Sequence, residues 1–199
     1  MAGAGTRRGG FQLEISDTTK LFVRWARRGG LLAHLNRDIY FGLYRRLMRE
    51  ITVATASRRR GIPVVETLGA LLEPLILGTA RGAIITRAMP GMTLWELLQV
   101  EDDPTVCSHL IEEARRVIAI MHQGGLDHAD LNLHNLFVTR SGEQMTVVLL
   151  DLDKARLYPA PLKKELQRRN LARLRRSAKK LDRAGRFIDA HALQILTGA

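Results

Sequence analysis

The chain of 199 residues is long enough for one sizeable core or two small lobes, and its hydrophobic share of 46% suits a globular protein. No apolar run approaches the roughly 18–20 residues of a membrane-spanning helix, and the start M-A-G-A-G-T-R-R-G-G lacks the apolar region of a secretory signal. The single cysteine, Cys107, allows no internal disulfide and fits a reducing compartment. We therefore expect a cytoplasmic protein.

The charge is strongly basic and unevenly distributed. Lys and Arg number 31 against 20 Asp and Glu, which gives a formal net charge of +11. Between residues 163 and 186, eleven basic side chains are opposed only by Glu165 and Asp182. Such a surplus suits a polyanion, and the candidates are nucleic acid, an anionic membrane face and a phosphorylated glycolipid.

The N-terminal part predicts two strands and one long helix. After a glycine-rich start, apolar stretches at residues 11–15 and 21–26 are separated by a polar turn. A helix is predicted over residues 36–60, with Gly61 as a C-cap candidate. Apolar positions at helical spacing predict that its buried face consists of Ile39, Leu43, Leu47, Ile51 and Ala54.

A domain boundary is predicted close to residue 88. Residues 63–77 indicate short strands and turns, and residues 83–86 a further apolar strand, which R-A-M-P-G then interrupts. A strand followed by a Pro-Gly turn is typical of a hinge between lobes. We therefore divide the chain into residues 1–88, with the strands and the long helix, and residues 89–199, which are mainly helical.

Two helices are predicted to lead to the middle of the chain. Thr93-x-x-Glu96 is a capping box that opens a short helix over residues 94–99. A longer helix begins near Asp103 and runs to His122, which we interpret as a packing histidine. Its buried face is predicted to consist of Val106, Leu110, Ala114, Val117, Ile118 and Met121.

The stretch from residue 128 to residue 153 carries the clearest chemical signal. It begins with H-A-D-L-N-L-H-N and continues with two apolar strands that form a hairpin ending at Asp151. This arrangement brings Asp130, Asn135 and Asp151 to one edge of the hairpin. Asp130 can accept a hydroxyl proton, while Asn135 and Asp151 offer oxygens to a hard cation. Phosphoryl transfer assisted by Mg²⁺ needs these groups.

The basic segment at residues 163–186 predicts an amphipathic helix with a basic outer face. Its apolar stripe consists of Leu162, Leu166, Leu171, Leu174, Ala178 and Leu181. A solvated helix normally mixes both signs of charge, so a face this one-sided favours an anionic surface as its partner. A basic helix that simply faces solvent is the alternative.

Two features of this sequence resemble a known family. The motif H-x-D, with Asn135 five residues after Asp130 and D-L-D after a hairpin, resembles the catalytic and metal-binding loops of protein kinases. The fuller pattern H-x-D-L-N-x-H-N with D-x-D is most similar to the lipopolysaccharide kinases, in particular the 3-deoxy-D-manno-octulosonic acid (Kdo) kinase family. R-N-L-A-R-L-R-R-S at residues 169–177 resembles the C-terminal part of that family. The resemblance covers residues 21–181.

The resemblance implies a fold, an activity and partners. The fold would be α+β and protein-kinase-like, a bilobal arrangement of a small β-rich N-lobe and a reduced helical C-lobe. The activity would be phosphorylation of the Kdo sugar of a lipid A precursor, with ATP and Mg²⁺ as cofactors. The partners would be this glycolipid acceptor and an anionic membrane surface, on the cytoplasmic face of the bacterial inner membrane.

The resemblance also implies roles for the residues of the central stretch. Asp130 would be the catalytic base, His128 a scaffold residue, and Asn135 with Asp151 the Mg²⁺ ligands. Asn132 would position Asp130 or hold a phosphate, although an Asx-type turn would look the same in sequence. The two residues whose roles stay open are His134, a substrate contact or none, and Asp153, a second metal-side carboxylate or a turn residue.

Four residues of the N-terminal part would bind the nucleotide. Arg24 stands where kinases carry a phosphate-binding lysine, and Glu50 lies where a glutamate pairs with that cation. The alternatives are an edge-strand arginine facing solvent and an ordinary surface pair. The backbone from Thr86 to Met89 is a candidate adenine-binding edge. The glycine-rich start is either a phosphate loop or a solvated terminus.

Three other functions compete with the sugar kinase. A small atypical protein kinase, or a kinase of antibiotics or other small molecules, would share the motif, but few residues follow Asp153 to form a platform for a polypeptide. A catalytically inactive scaffold is favoured slightly by Arg24 and disfavoured by the intact acidic residues. Nucleic-acid binding ranks last, because Phe187 is the only aromatic residue near the basic segment.

Overall fold

The computed structural model describes residues 10–16, 19–26, 40–75, 79–142 and 144–198. The chain divides into two compact units. The first unit is made of residues 1–55 and 65–89, and the second of residues 56–64 and 90–199. Most of the glycine-rich start and residue Ile39 lie outside the described residues.

The first unit contains an antiparallel sheet built around one central strand. Its strands are β1 (Gly10–Ser16), β2 (Thr19–Trp25), β3 (Tyr40–Phe41), β4 (Thr67–Pro74) and β5 (Thr79–Arg87). The order is β1-β2-β5-β3, and β4 also pairs with β5. The strands expected near residues 11–15, 21–26 and 83–86 are confirmed, and each extends beyond its predicted length because neighbouring strands supply hydrogen-bond partners.

The long helix α1 spans Leu43–Arg59 and begins later than predicted. The expected start near residue 36 is wrong for the described part, since β3 precedes the helix and Gly42 turns the chain with φ +68°. The predicted end is confirmed, because Gly61 follows with φ +74°. In the first unit the helix packs on the sheet through a buried cluster made of Ala26, Leu43, Leu47, Ala80 and Ile84.

Gly82 on β5 permits this close packing. A Cβ at this position would lie 2.6 Å from the carbonyl oxygen of Leu71 and 2.9 Å from Cδ1 of Leu47. Both distances are too short for a real side chain, so only glycine lets the helix and the neighbouring strand approach so closely.

The described residues of the second unit form four complete helices, α2 to α5, and two small sheets. Its elements are β6 (Gly91–Thr93), α2 (Leu94–Leu98), α3 (Pro104–Gln123), β7 (Leu126–Asp127), β8 (Leu136–Ser141), β9 (Gln144–Leu149), β10 (Arg156–Leu157), α4 (Lys164–Leu181) and α5 (Ala190–Thr197). One sheet has the order β6-β8-β9 and the other pairs β10 with β7. The predicted hairpin is confirmed, with Leu136 paired to Leu149 and Ser141 to Gln144.

Local capping fixes the starts of α2 and α3. In the predicted box, the backbone N–H of Glu96 donates to Oγ1 of Thr93 at 3.2 Å, and the N–H of Thr93 donates to Oε2 of Glu96 at 2.9 Å. Asp103 caps α3 by accepting the N–H of Thr105 at 2.8 Å, and Pro104 occupies the first turn. These caps set the direction in which α3 enters the core.

The basic helix is confirmed as α4, but it ends at Leu181 and not at residue 186 as predicted, and a further helix follows it. Asp182 ends α4 and accepts backbone N–H groups from Arg186, Phe187 and Ile188 at 2.8–2.9 Å. Burial raises the pKa of Asp182, but these hydrogen bonds outweigh it and the pKa is lowered. The helix α5, capped by Asp189, was not predicted from the sequence.

No helix in the described residues combines the length and the apolarity that a bilayer-spanning segment requires.

Candidate active site

The loop at residues 128–135 is folded around the backbone carbonyl oxygen of Asp130. The side-chain amides of Asn132 and Asn135 each donate a hydrogen bond to this oxygen at 2.8 Å. Leu131 and Leu133 are fully buried and anchor the loop in the core. The side chain of Asp130 stays exposed on a backbone that is held from two sides, as a group that must meet a substrate requires.

His128 connects this loop to the segment before Asp151. The imidazole is 1% exposed, and its Nε2 lies 2.8 Å from the carbonyl oxygen of Leu150. Burial lowers the pKa of His128 against the opposing influence of the Leu150 carbonyl and of the carboxylates of Asp151 and Asp130. The ring is therefore neutral and donates from Nε2, which fits the scaffold role rather than proton transfer.

Asn135 and Asp151 lie at the same end of the hairpin. Asn135 precedes β8, and its carbonyl oxygen accepts the N–H of Leu150, which follows β9, at 2.9 Å. Both backbone groups of Leu150 are therefore held immediately before Asp151. Asp151 has φ 55° and is the only non-glycine residue in the described part of the chain with a positive φ. Such a conformation typically costs about 1–3 kcal/mol and is concentrated at functional sites.

The donor atoms at this end of the hairpin fit a hard divalent cation. Nδ2 of Asn135 is committed to Asp130, so its amide oxygen is the atom available to a metal, and Asp151 contributes a carboxylate. Mg²⁺ is usually held by one or two carboxylates, with phosphates and waters as its other ligands. These two residues could hold Mg²⁺ in this way.

Arg24 and Glu50 form an ion pair inside the first unit. Nη2 of Arg24 lies 2.5 Å from Oε1 of Glu50, and the Glu50 side chain is only 7% exposed. The alternative of a solvent-facing arginine on an edge strand is wrong, because β2 lies between β1 and β5 and the Arg24 side chain is 24% exposed. A buried carboxylate on α1 thus orients a cation on β2.

Thr86 and Met89 differ in their backbone environment. Thr86 lies inside β5, opposite Phe22 of β2 and Thr67 of β4. Met89 follows the end of the strand, and its backbone makes no hydrogen bond to any described residue. Of the two, Met89 has the backbone groups that a ligand can reach.

The structure also settles part of what the sequence left open. Oδ1 of Asn132 accepts the backbone N–H of His134 at 3.0 Å, so the Asx-type turn is confirmed, while the amide of the same side chain holds Asp130. Asp153 lies in a turn in which the N–H of Ala155 donates to the carbonyl oxygen of Leu152 at 3.0 Å. No direct role for His134 follows from its contacts.

Sequence reasoning missed two polar contacts of α4. Asn170 is fully buried, lies 3.5 Å from Nε2 of His122 and accepts a hydrogen bond from Arg173. Burial, aided by the charge of nearby Arg115, lowers the pKa of His122 to about 4, so this histidine packs as a neutral group. Ser177 accepts the N–H of Leu133 at 3.4 Å and so ties α4 to the catalytic loop.

Together these features define a protein-kinase-like fold. A solved structure described as WaaP in complex with acyl carrier protein agrees, with a TM-score of 0.57 at 17% identity over 100% of this chain and 79% of that one. The family model for the lipopolysaccharide kinase (Kdo/WaaP) family matches residues 2–195. The chain belongs to this family.

Curated relatives at moderate identity are named 3-deoxy-D-manno-octulosonic acid kinase. The protein from Xylella fastidiosa (strain 9a5c) is 35% identical over 190 residues, which cover 84% of this chain and 65% of that protein. The protein from Actinobacillus succinogenes is 32% identical over 206 residues, which cover 98% of this chain and 83% of that protein. The chain thus spans about two thirds of the length of the Xylella relative.

Proposed function

We propose that the chain transfers the γ-phosphoryl group of ATP to a hydroxyl of the Kdo sugar on a lipid A precursor, in lipopolysaccharide core assembly. Family membership and the names of the relatives support this substrate class. The observation that carries the proposal is the double clamp of Asn132 and Asn135 on the carbonyl oxygen of Asp130. It presents one exposed carboxylate in a fixed position, next to loops that can hold a metal.

In the proposed reaction, Asp130 orients the acceptor hydroxyl and takes its proton. A bond forms between the hydroxyl oxygen and the γ-phosphorus, and the bond from that phosphorus to the β,γ-bridging oxygen of ATP breaks. A positioned proton acceptor typically contributes ~10²–10⁴-fold to such a step. Asn132 acts through Asp130 as a positioning residue, and His128 keeps the two loops in register through Leu150.

Candidate nucleotide contacts are assigned within each unit separately. Asn135 and Asp151 are the proposed ligands of Mg²⁺, which when bound neutralises charge on the phosphates. Arg24, oriented by Glu50, is the proposed phosphate contact, and its planar guanidinium can bind two phosphate oxygens at once. Met89 is the proposed backbone partner of the adenine, with Thr86 as its flank.

The outer face of α4 is the proposed contact with an anionic membrane. We define this face by its exposed cations, which are Lys164, Arg168, Arg169, Arg175, Arg176, Lys179 and Lys180. Within the described part of the chain none of them forms an ion pair. Arg173 does not belong to this face, because it is half-buried and donates to Asn170. Each basic group near an anionic leaflet adds about 1 kcal/mol.

A labelled-phosphate assay tests the proposed function. The chain is incubated with γ-labelled ATP, Mg²⁺ and, separately, a Kdo-bearing lipid A precursor, a generic protein substrate and an aminoglycoside. We expect label on the Kdo-bearing lipid alone. Label on the protein or the aminoglycoside would instead support the atypical or small-molecule kinase, and absence of transfer to all three would support an inactive scaffold.

A further inference from the structure

The segment that follows β9 returns to the catalytic loop at two points. At its start, the carbonyl oxygen of Leu150 accepts the hydrogen bond of His128 at 2.8 Å. At its end, Arg156 of β10 pairs with Asp127 of β7, the residue before His128. Residues 151–155 therefore form a short loop whose two ends are fastened beside the chain that leads to Asp130.

The inside of this loop is also fixed. Leu152 and Ala155 are 2% and 1% exposed, and a hydrogen bond between them closes a turn at 3.0 Å. Lys154, between these two anchors, is exposed. Its ammonium forms no ion pair with the described residues. The result is an uncommitted cation on a rigid backbone, three residues from the proposed metal ligand Asp151.

An acidic acceptor needs such a cation. The sugar in the proposed function is an octulosonic acid, so it carries a carboxylate in addition to its hydroxyls. It would approach a loop region that already contains the carboxylates of Asp130, Asp151 and Asp153. Like charges at close range repel, and a charge of the opposite sign is required to offset them.

The other cations of this region are less suitable. Arg140 lies near the tip of the hairpin, four residues along β8 from Leu136, and it is occupied by the carbonyl oxygen of Gly142. At about 3.3 Å per residue, this places it roughly 13 Å from the active end of the strand. Arg156 lies in β10, across the strand pair from Asp127 of β7, so the carboxylate that faces it in the register is that of Asp127 rather than an acceptor.

Resting on the proposed function, we propose that Lys154 binds the carboxylate of the sugar-acid acceptor while Asp130 takes the proton of the hydroxyl. The cation and the base then contact two different groups of one sugar ring, which fixes its orientation. A neutral sugar lacks the first contact, so Lys154 selects acidic sugars over neutral ones.

A comparison of two acceptors and two residues tests this role. The acceptors are the Kdo-bearing lipid A precursor in neutral detergent micelles and the same lipid with its Kdo carboxylate converted to a carboxamide. For Lys154→Gln we expect the KM for the carboxylate acceptor to rise roughly 10–100-fold, the range for losing a hydrogen bond between charged groups. The kcat and the KM for ATP should change little, and Lys154→Arg should restore most of the affinity.

The carboxamide acceptor and a matched variant provide the controls. On the carboxamide, wild type and Lys154→Gln should have similar kcat/KM values, because the partner of the lysine is already gone. Arg140→Gln, which removes the same charge from the hairpin tip, should behave as wild type on both acceptors.

The possible failures are distinguishable. If wild type does not phosphorylate the carboxylate acceptor, the proposed function fails. If wild type is active but Lys154→Gln keeps its KM, loses the same factor on both acceptors, or loses affinity for ATP, the assignment of Lys154 is overturned while the kinase activity stands.

Discussion

In the catalytic loop the polar side chains bind the chain's own backbone, whereas on the outer face of α4 they remain exposed to solvent. Asn132, Asn135 and His128 each hold a named carbonyl oxygen at 2.8 Å. The cations of α4 share a direction and a sign of charge but have no such fixed partners among the described residues. The difference fits the two proposed tasks, since bond formation needs positions fixed within a fraction of an ångström, while attraction to a charged surface needs only charge density.

The largest effect is expected for Asp130, the proposed reacting group in the loop whose backbone is held by side chains. Asp130→Asn should lower turnover by ~10²–10⁴-fold, because the amide cannot accept the hydroxyl proton. The fold and ATP binding should survive, since the clamp on residue 130 uses the backbone oxygen and not the side chain. Steady-state kinetics with the Kdo acceptor measure turnover, and a nucleotide titration measures ATP binding. Asp102→Asn, an exposed loop position, is the matched control, and near-wild-type turnover in Asp130→Asn would refute the assignment.

The next effect concerns the exposed cations on the outer face of α4. Replacing Arg169, Arg176 and Lys180 by Gln should weaken binding to anionic vesicles about 100-fold, at about 1 kcal/mol for each charge removed. Vesicle sedimentation at two salt concentrations measures this, and folding and basal ATP hydrolysis should be unchanged.

The control for the α4 variant is a second variant that loses the same number of positive charges, but at positions outside α4. In it, Arg59, Arg81 and Arg140, all exposed, are replaced by Gln. Equal weakening in both variants would show that net charge matters and α4 does not. Unchanged vesicle binding in the α4 variant would show that this face does not contact the membrane.

A third prediction separates the carboxylate charge of Asp151 from its backbone conformation. Asp151→Asn keeps a residue that tolerates positive φ but removes the carboxylate. Outer partners of a metal site typically cost ~10–100-fold in affinity when mutated, and a direct ligand should cost at least this much. Titration of ATP at several Mg²⁺ concentrations should show weaker binding that excess Mg²⁺ partly restores. A normal Mg²⁺ dependence would place the metal elsewhere.

The smallest effect concerns Asp182, a carboxylate of α4 that does bind backbone. Asp182→Ala should lower the free energy of unfolding by about 1–2 kcal/mol, by analogy with the loss of a helix N-cap side chain, which likewise accepts backbone N–H groups. Because the pKa of Asp182 is lowered in the fold, its stabilisation is complete above its ordinary value of 3.8 and is lost as the pH falls through the folded value. Urea unfolding at pH 7 and pH 3 checks this, since wild type and variant should differ less in acid. An equal difference at both pH values would contradict the linkage.

Local signals predicted much of the second unit. The Thr93 capping box depends on a partner three residues away and the hairpin on strands that are adjacent in sequence, and the structure has both as expected. The clamp on Asp130 is local too, over two and five residues, yet the sequence did not show that a backbone oxygen is its acceptor. The residue types indicate that hydrogen bonds will form, but they do not indicate which atom will accept them.

The misses depend on contacts distant in sequence or on backbone geometry. Asn170 interrupts an apolar stripe, and nothing within α4 reveals that it is buried against His122, 48 residues away. The start of α1 depends on the pairing of β3 with β5, and the helical spacing of apolar residues carries no information about that pairing. The helix α5 is only eight residues long, so its cap at Asp189 gave a weak signal.

The burial of His128 determines how the protein responds to acid. A ring with its ordinary pKa would gain and lose a proton near neutrality and change the loop by degrees. The pKa of His128 is lowered, so below about 6.5, its ordinary value, the unfolded chain takes up a proton that the folded ring does not. Mild acidification therefore leaves this ring neutral in the folded state and lowers the free energy of unfolding, so we expect His128 to contribute to acid inactivation through unfolding rather than through a change of its loop.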